Sequence, residues 1–360
     1  MKTQFDPNSA ADLTAGIFGV AADYKKAAMA LVGVPFEATT SYGAGAADGP
    51  EMIFNASAQV DLHDVDVEAP YAPGIFYFGK DADFKKILLL NKKAKTKARY
   101  VIKNQFNQTN KKRRDLVAQA LKEVNAASKK VNQLVYEKSK RILADKKILG
   151  LIGGDHSVPF GAFKAIGEKY KKFSILHLDA HSDTRQAYEG FQYSHASIMY
   201  NVLEEIKAVE QLVQVGIRDF CDEENQYVLS QPNRVTMFTD VEVQRRRFNG
   251  ESFDRIVQEM VKNLTEHVWI SFDIDGLEPT YCPHTGTPVP GGFTYREAEY
   301  LILAVAESGR KIIGFDLNEV SSGGLHDGAS EWDANVGARM LYKMAAVAML
   351  SQGLCKPRLL

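Results

Sequence analysis

Six short runs of apolar, largely branched residues recur along this chain, at 28–34, 148–152, 173–178, 212–216, 268–272 and 312–317. Such runs, without polar alternation, suit strands that are buried on both faces, as a parallel sheet requires. Parallel neighbours need long crossovers. Amphipathic helical spacing fills several intervals, at 160–170, 197–208, 295–308 and 334–350. Alternation of strand and helix predicts a three-layer αβα fold with a mainly parallel sheet. With 360 residues the chain can form one such domain or two modest ones. It shows neither an internal repeat nor a linker, so a single domain over 1–360 is expected.

The formal charge of −1 speaks against a dedicated nucleic-acid surface. Cys221, Cys282 and Cys355 are too scattered for a disulfide framework or a thiolate metal site, and they suit a reducing cytoplasm. No stretch is long and apolar enough to cross a bilayer. The opening residues carry Asp6, Asp12 and Asp23 and lack the basic start and apolar core of a secretory signal. One segment differs from the rest: 80–114 is dense in lysine and arginine, with Asp81 and Asp83 its only acids. Helices are expected at 85–97 and 115–144, as a solvated insertion or helical hairpin on the outside.

Three polar clusters follow three of the apolar runs. They are Gly153-Gly154-Asp155-His156-Ser157, Asp179-Ala180-His181-Ser182-Asp183 and Ser271-Phe272-Asp273-Ile274-Asp275-Gly276. In parallel α/β folds ligands gather at the carboxyl ends of the strands, where these clusters fall. Residues i and i+2 of a strand share a face, so Asp273 can act with Asp275, and Asp179 with His181. Asp183 follows on the outgoing loop, and His156 comes after two glycines that permit a tight turn. His156, Asp179, His181, Asp183, Asp273 and Asp275 thus form an oxygen-rich donor set with imidazole and no thiolate. That set suits Mn²⁺, with Ni²⁺, Zn²⁺, Fe²⁺ or Co²⁺ as alternatives. Four carboxylates in one cavity repel one another unless cations neutralise them.

The three clusters resemble the signature motifs of the ureohydrolase (arginase/agmatinase) family. Gly33-Val34-Pro35-Phe36, Thr285-Gly286-Thr287-Pro288 with Gly291-Gly292, and Asp316-Leu317-Asn318-Glu319-Val320 extend the likeness over nearly the whole chain. The resemblance implies two Mn²⁺ ions, one held by His156, Asp179, Asp183 and Asp273, the other by Asp179, His181, Asp273 and Asp275. It implies water attack on a guanidinium carbon, with Asp183 accepting the water's proton in a hydrogen bond. Glu319 matches the carboxylate that pairs with the guanidinium. His195, in Tyr193-Ser194-His195-Ala196-Ser197, matches an agmatinase-type histidine for proton transfer. The expected substrate is a small guanidino compound, first of all agmatine, split to putrescine and urea in polyamine metabolism. Guanidinobutyrate, arginine and formimidoylglutamate are alternatives, as is a metal-binding relative without activity. A homotrimer or homohexamer is the family expectation.

Arg185 departs from the agmatinase pattern. A cation there would repel an ammonium tail and attract a carboxylate, unless it turns outward to pair with Glu189 or a neighbouring subunit. The segment 74–81 nearly matches a phosphate loop, but Asp81 stands where the metal-binding hydroxyl belongs. His63, His267 and His326 read as structural residues. His284 and Cys282 are candidates for the rim of the site.

Overall fold

The computed structural model describes residues 5–107, 110–324 and 331–358; His326 lies outside them. Eight strands make one sheet: β1 (Met29–Val34), β3 (Ile75–Phe78), β4 (Ile148–Gly153), β5 (Phe173–Leu178), β6 (Val209–Ile217), β7 (Val235–Thr239), β8 (His267–Asp273) and β9 (Lys311–Asn318). Their spatial order is β3-β1-β4-β9-β8-β5-β6-β7, and every neighbouring pair is parallel. Two short strands, β2 (Val67–Glu68) and β10 (Lys356–Pro357), pair antiparallel apart from it.

Helices cover both faces. On one side lie α1 (Gly49–Ala56), α7 (Asp240–Phe248), α8 (Phe253–Lys262), α9 (Tyr295–Glu307) and α10 (Glu331–Ser351). On the other lie α2 (Ala82–Asn104), α3 (Lys111–Ala144), α4 (Phe160–Tyr170), α5 (Ile198–Glu205) and α6 (Asp222–Leu229). Each layer has its own apolar core against the sheet. In α8 the buried residues Ile256, Val257, Met260 and Val261 form the inward stripe. Thr294 and Glu297 close a capping box at the start of α9, a device whose cap residue contributes about 1 kcal/mol. Among the described residues no helix is long and apolar enough to span a membrane.

The six apolar runs all become strands. β7 escapes sequence reading because at an edge of the sheet polar residues interrupt the apolar run, and β3, the other edge, because its apolar run is only four residues long. β3 lies inside the near-phosphate-loop segment. A helix does open there, at Ala82 and not at Lys80, but the Asp81 carboxylate takes the Phe84 N–H at 2.9 Å. The helix start therefore carries its own anion and has no place for a phosphate.

The basic segment is longer than 80–114 and less solvated than expected. α2 and α3 form a helical hairpin, with Phe84, Ile87, Ala94, Ala98 and Val101 of α2 buried. The two helices hold 18 Lys/Arg against 4 Asp/Glu. A total of −1 therefore hides a strongly cationic hairpin on an acidic remainder.

Candidate metal and substrate site

β4, β9, β8 and β5 are consecutive in space although not in sequence. Their carboxyl ends therefore deliver His156, Glu319, Asp273 with Asp275, and Asp179 with His181 to one place. Gly154 enables the close packing at this edge: a Cβ there would stand 1.9 Å from the Phe36 carbonyl oxygen. Neither Gly153 nor Gly154 has positive φ. The expected reason for these glycines, a tight turn, thus gives way to close backbone approach.

His156 gathers the first group. Its Nδ1 lies 3.0 Å from Asp179 Oδ2, 3.2 Å from Asp273 Oδ2 and 3.5 Å from Asp183 Oδ2. Behind the ring, Nε2 is 2.9 Å from Ser271 Oγ, which donates to Asp316 Oδ1 at 2.9 Å. Trp269 and Asn318 also donate to Asp316. Because Ser271 gives its proton to Asp316, it accepts one from His156 Nε2–H. Nδ1 is thereby the ring nitrogen aimed at the carboxylates, in the manner of an oriented metal ligand.

His181 gathers the second group. Its Nδ1 is 3.1 Å from Asp275 Oδ2 and 3.5 Å from Asp179 Oδ1. The carboxylates are also fixed by backbone: Asp273 Oδ1 takes Asp275 N–H at 2.9 Å, and Asp275 Oδ1 takes Ala180 N–H at 3.0 Å. Arg218 donates to the carbonyls of Asp275 and Leu277 at 2.6 and 3.1 Å, holding that loop from below.

A third histidine, His177, was not among the sequence candidates. Its Nε2 lies 2.8 Å from Asp179 Oδ2, and Gln214 Nε2 donates to its Nδ1 at 3.1 Å. Gln214 thus sets the tautomer, and His177 presents N–H to the carboxylate that both groups share. The strand period of two, applied backward from Asp179, would have found it. His177→Ala is expected to weaken Mn²⁺ binding roughly 10–100-fold. Calorimetric titration of the metal-stripped protein checks this.

The electrostatics ask for added positive charge. Burial, then the charges of neighbouring carboxylates, pushes Asp183, Asp273 and Glu319 well above the usual carboxylate range. Asp179 is the exception. Against its burial, His177, His156 and His181 hold it well below. Burial opposes protonation of His181, yet Asp275 and Asp179 raise it to about 12. The cluster thus lacks the cations to keep all its carboxylates ionised. Its oxygen and imidazole donors, in two groups sharing Asp179, fit two divalent metal ions.

Asp183 and Glu319 both adopt left-handed backbone, with φ of 54° and 62°. Such conformations cost on the order of 1–3 kcal/mol outside glycine and collect at working sites. Glu319 accepts the His156 N–H at 3.0 Å through Oε1. Its surroundings are other acids, Asp273, Asp155 and Asp275, and among the described residues no cationic side chain pairs with it. Here a buried carboxylate faces the site with only Oε1 hydrogen-bonded among the described residues.

His195 starts the short helical turn before α5. Burial, then the charge of His181, lowers its pKa to about 4. The imidazole is therefore neutral at pH 7, and burial makes its protonated form a strong acid that gives the proton up readily. Arg185 pairs with Glu224, at 3.4 Å, and stacks on Tyr188. The expected outward partner, Glu189, instead takes a hydrogen bond from Gln105. Glu224 also receives the Thr184 N–H, so it ties the start of α6 to the loop after β5. His284 is held by Asp333, and Cys282 is buried with its thiol pushed up by that burial.

Known proteins resemble this chain over most of its length. The arginase family model matches residues 27–346. An N(1)-aminopropylagmatine ureohydrolase from Thermus thermophilus is 29% identical over 304 residues, covering 84% of this chain and 86% of that one. An agmatinase from Bacillus cereus is 34% identical over 183 residues, covering 51% of this chain and 58% of that one. The crystal structure of the agmatine ureohydrolase of Thermoplasma volcanium has the same fold, with a TM-score of 0.68 at 22% identity, covering 93% of this chain and 94% of that one.

Proposed function

The chain belongs to the arginase family, and from that premise we propose that it is a two-metal hydrolase that releases urea from agmatine, leaving putrescine. Among known reactions of its relatives, those named for agmatine and aminopropylagmatine support this substrate class. The observation that carries the reading is Glu319, a buried acid beside the donor cluster without a cationic partner among the described residues. A planar guanidinium supplies the missing cation and matches a carboxylate in a fork.

The first ion would rest on His156, Asp179, Asp183 and Asp273, and the second on Asp179, His181, Asp273 and Asp275. When bound, a pair of divalent ions neutralises carboxylate charge and brings the pKa of water towards 7. Mn²⁺ is our first assignment. Glu319 orients the guanidinium so that its carbon faces the cluster. Asp183 accepts a hydrogen bond from the attacking water and so aims its lone pair. The neutral His195 imidazole relays the proton released, holding it only in passing before giving it to the departing amine or to solvent. Urea and an amine leave.

Arg185 bears on the substrate's tail. Its ion pair with the buried Glu224 offsets its charge, which removes much of the repulsion against an ammonium tail. Arg185→Ala is therefore expected to leave KM for agmatine little changed, with any fall confined to kcat through the lost support of Glu224 and Tyr188. A loss of activity confined to guanidinobutyrate or another carboxylate substrate would instead make this chain a guanidino-acid hydrolase. Urea or ammonia release is measured with agmatine, arginine, guanidinobutyrate, guanidine and formimidoylglutamate, comparing Mn²⁺ with Ni²⁺. Absence of urea from every guanidino compound with either metal would overturn the reading.

A further inference from the structure

The cationic hairpin takes no part in the chemistry above, yet it grips the loop that leads to His195. Between β5 and α5 the chain makes a tight turn from Tyr188 to Phe191. Tyr188 N–H donates to the Phe191 carbonyl at 3.3 Å, and Phe191 N–H returns to Tyr188 at 2.8 Å. Glu189 and Gly190 have φ of 52° and 85°, as a type I′ turn requires.

One side of this turn is plugged into the hairpin. Phe191 is fully buried in a small core otherwise formed by Ala98, Val101, Val117, Ala120 and Val124, all from α2 and α3. Asn125 of α3 clamps the turn polarly. It donates to the Gly190 carbonyl at 3.3 Å and accepts the Gln192 N–H at 2.9 Å. The other side of the turn faces the site. The Tyr188 ring stands edge-on to His195, with centroids 6.1 Å apart. The His195 side chain makes no hydrogen bond among the described residues, and its Nδ1 is buried without a partner. An imidazole without hydrogen bonds is oriented by packing alone, so whatever fixes Tyr188 helps to fix His195.

We propose that the α2–α3 hairpin positions His195: Phe191 and Asn125 lock the turn, and the turn sets Tyr188 against the imidazole. Phe191 and Asn125 are positioning residues that touch neither metal nor substrate. The inference rests on the proton-transfer role of His195 given above.

A double-mutant cycle tests it, with Phe191→Ala, His195→Ala and the pair, on metal-loaded protein and the best substrate of the panel. Phe191→Ala is expected to lower kcat roughly tenfold to a hundredfold with KM little changed, as a misplaced group does. In the His195→Ala background the same substitution should have no further effect, because neighbours that act together are not additive. Phe191→Leu should recover most of the activity, and metal content should stay at the wild-type value throughout. Should Phe191→Ala fail to fold, Asn125→Ala, on the outer side of the small core, must show the same non-additive loss in smaller measure. Additive effects, or unchanged kcat in the position-191 and position-125 variants, overturn the proposal while leaving a slow His195→Ala to support the proton-transfer reading. A His195→Ala enzyme with wild-type kcat removes that reading and this one together.

Discussion

Asp275→Ala is expected to leave one divalent ion per chain instead of two and to lower kcat/KM by at least about 10²–10³-fold, the scale of losing an aimed electrostatic group. The reason lies in what Asp275 holds. One oxygen stands 3.1 Å from His181 Nδ1, and the other fixes the Ala180 N–H at 3.0 Å. Removing it takes away a donor of the His181 group and loosens the loop that carries His181. The His156 group keeps its four donors and its Ser271–Asp316 support. Metal loss should therefore be selective, with one ion gone and the other retained. Elemental analysis of the dialysed protein beside urea release decides the matter. An Asp275→Ala protein with one ion and full activity would end the two-metal reading. Two retained ions would show that Asp275 is not a ligand.

The six residues that converge at the cluster were legible because each lies within a few residues of a strand end, where the period of two and a short loop suffice to predict a shared direction. Interior strands were legible for the same local reason, since burial on both faces leaves a continuous apolar run. What depends on strand order was not legible. Asp316 supports His156 only because β9 is inserted between β4 and β8. Gln214 reaches His177 only because β6 lies beside β5. Arg218 and Glu224 belong to the same category: their partners lie in loops distant in sequence. The hairpin shows a further limit. Lysine spacing on α2 and α3 announces a solvated face, and it hides the small core that Phe191 completes from 67 residues beyond Val124 in sequence.

Glu319→Gln is expected to separate function from stability. Glutamine keeps an oxygen for the His156 N–H, so the local fold survives. Its amide then turns N–H towards the guanidinium, donor against donor, and the fork is lost. Breaking a buried hydrogen-bonded charge pair costs about 2–5 kcal/mol, so kcat/KM should fall by roughly 10²-fold or more. In the metal-stripped protein the same substitution should raise the melting temperature, and the gain should depend on pH. Burial and the charges of Asp273 and Asp155 place the folded-state pKa of Glu319 well above its ordinary value. The folded state thus binds the proton more tightly than the unfolded state. The stability linked to that proton is fully present below the unfolded value of about 4.3 and is lost as pH rises through the folded one. Glutamine carries no such proton. The two stripped proteins should melt alike near pH 4 and diverge as pH rises, with Glu319→Gln the more stable at pH 8. Saturating Mn²⁺ should shrink the difference, because the ions supply the positive charge that an ionised Glu319 lacks. Calorimetry across this range, with and without Mn²⁺, tests the sign. A variant less stable than wild type at pH 8 without metal would mean that Glu319 is a structural acid with a partner in the fold, and its pairing with a guanidinium would lose its physical basis.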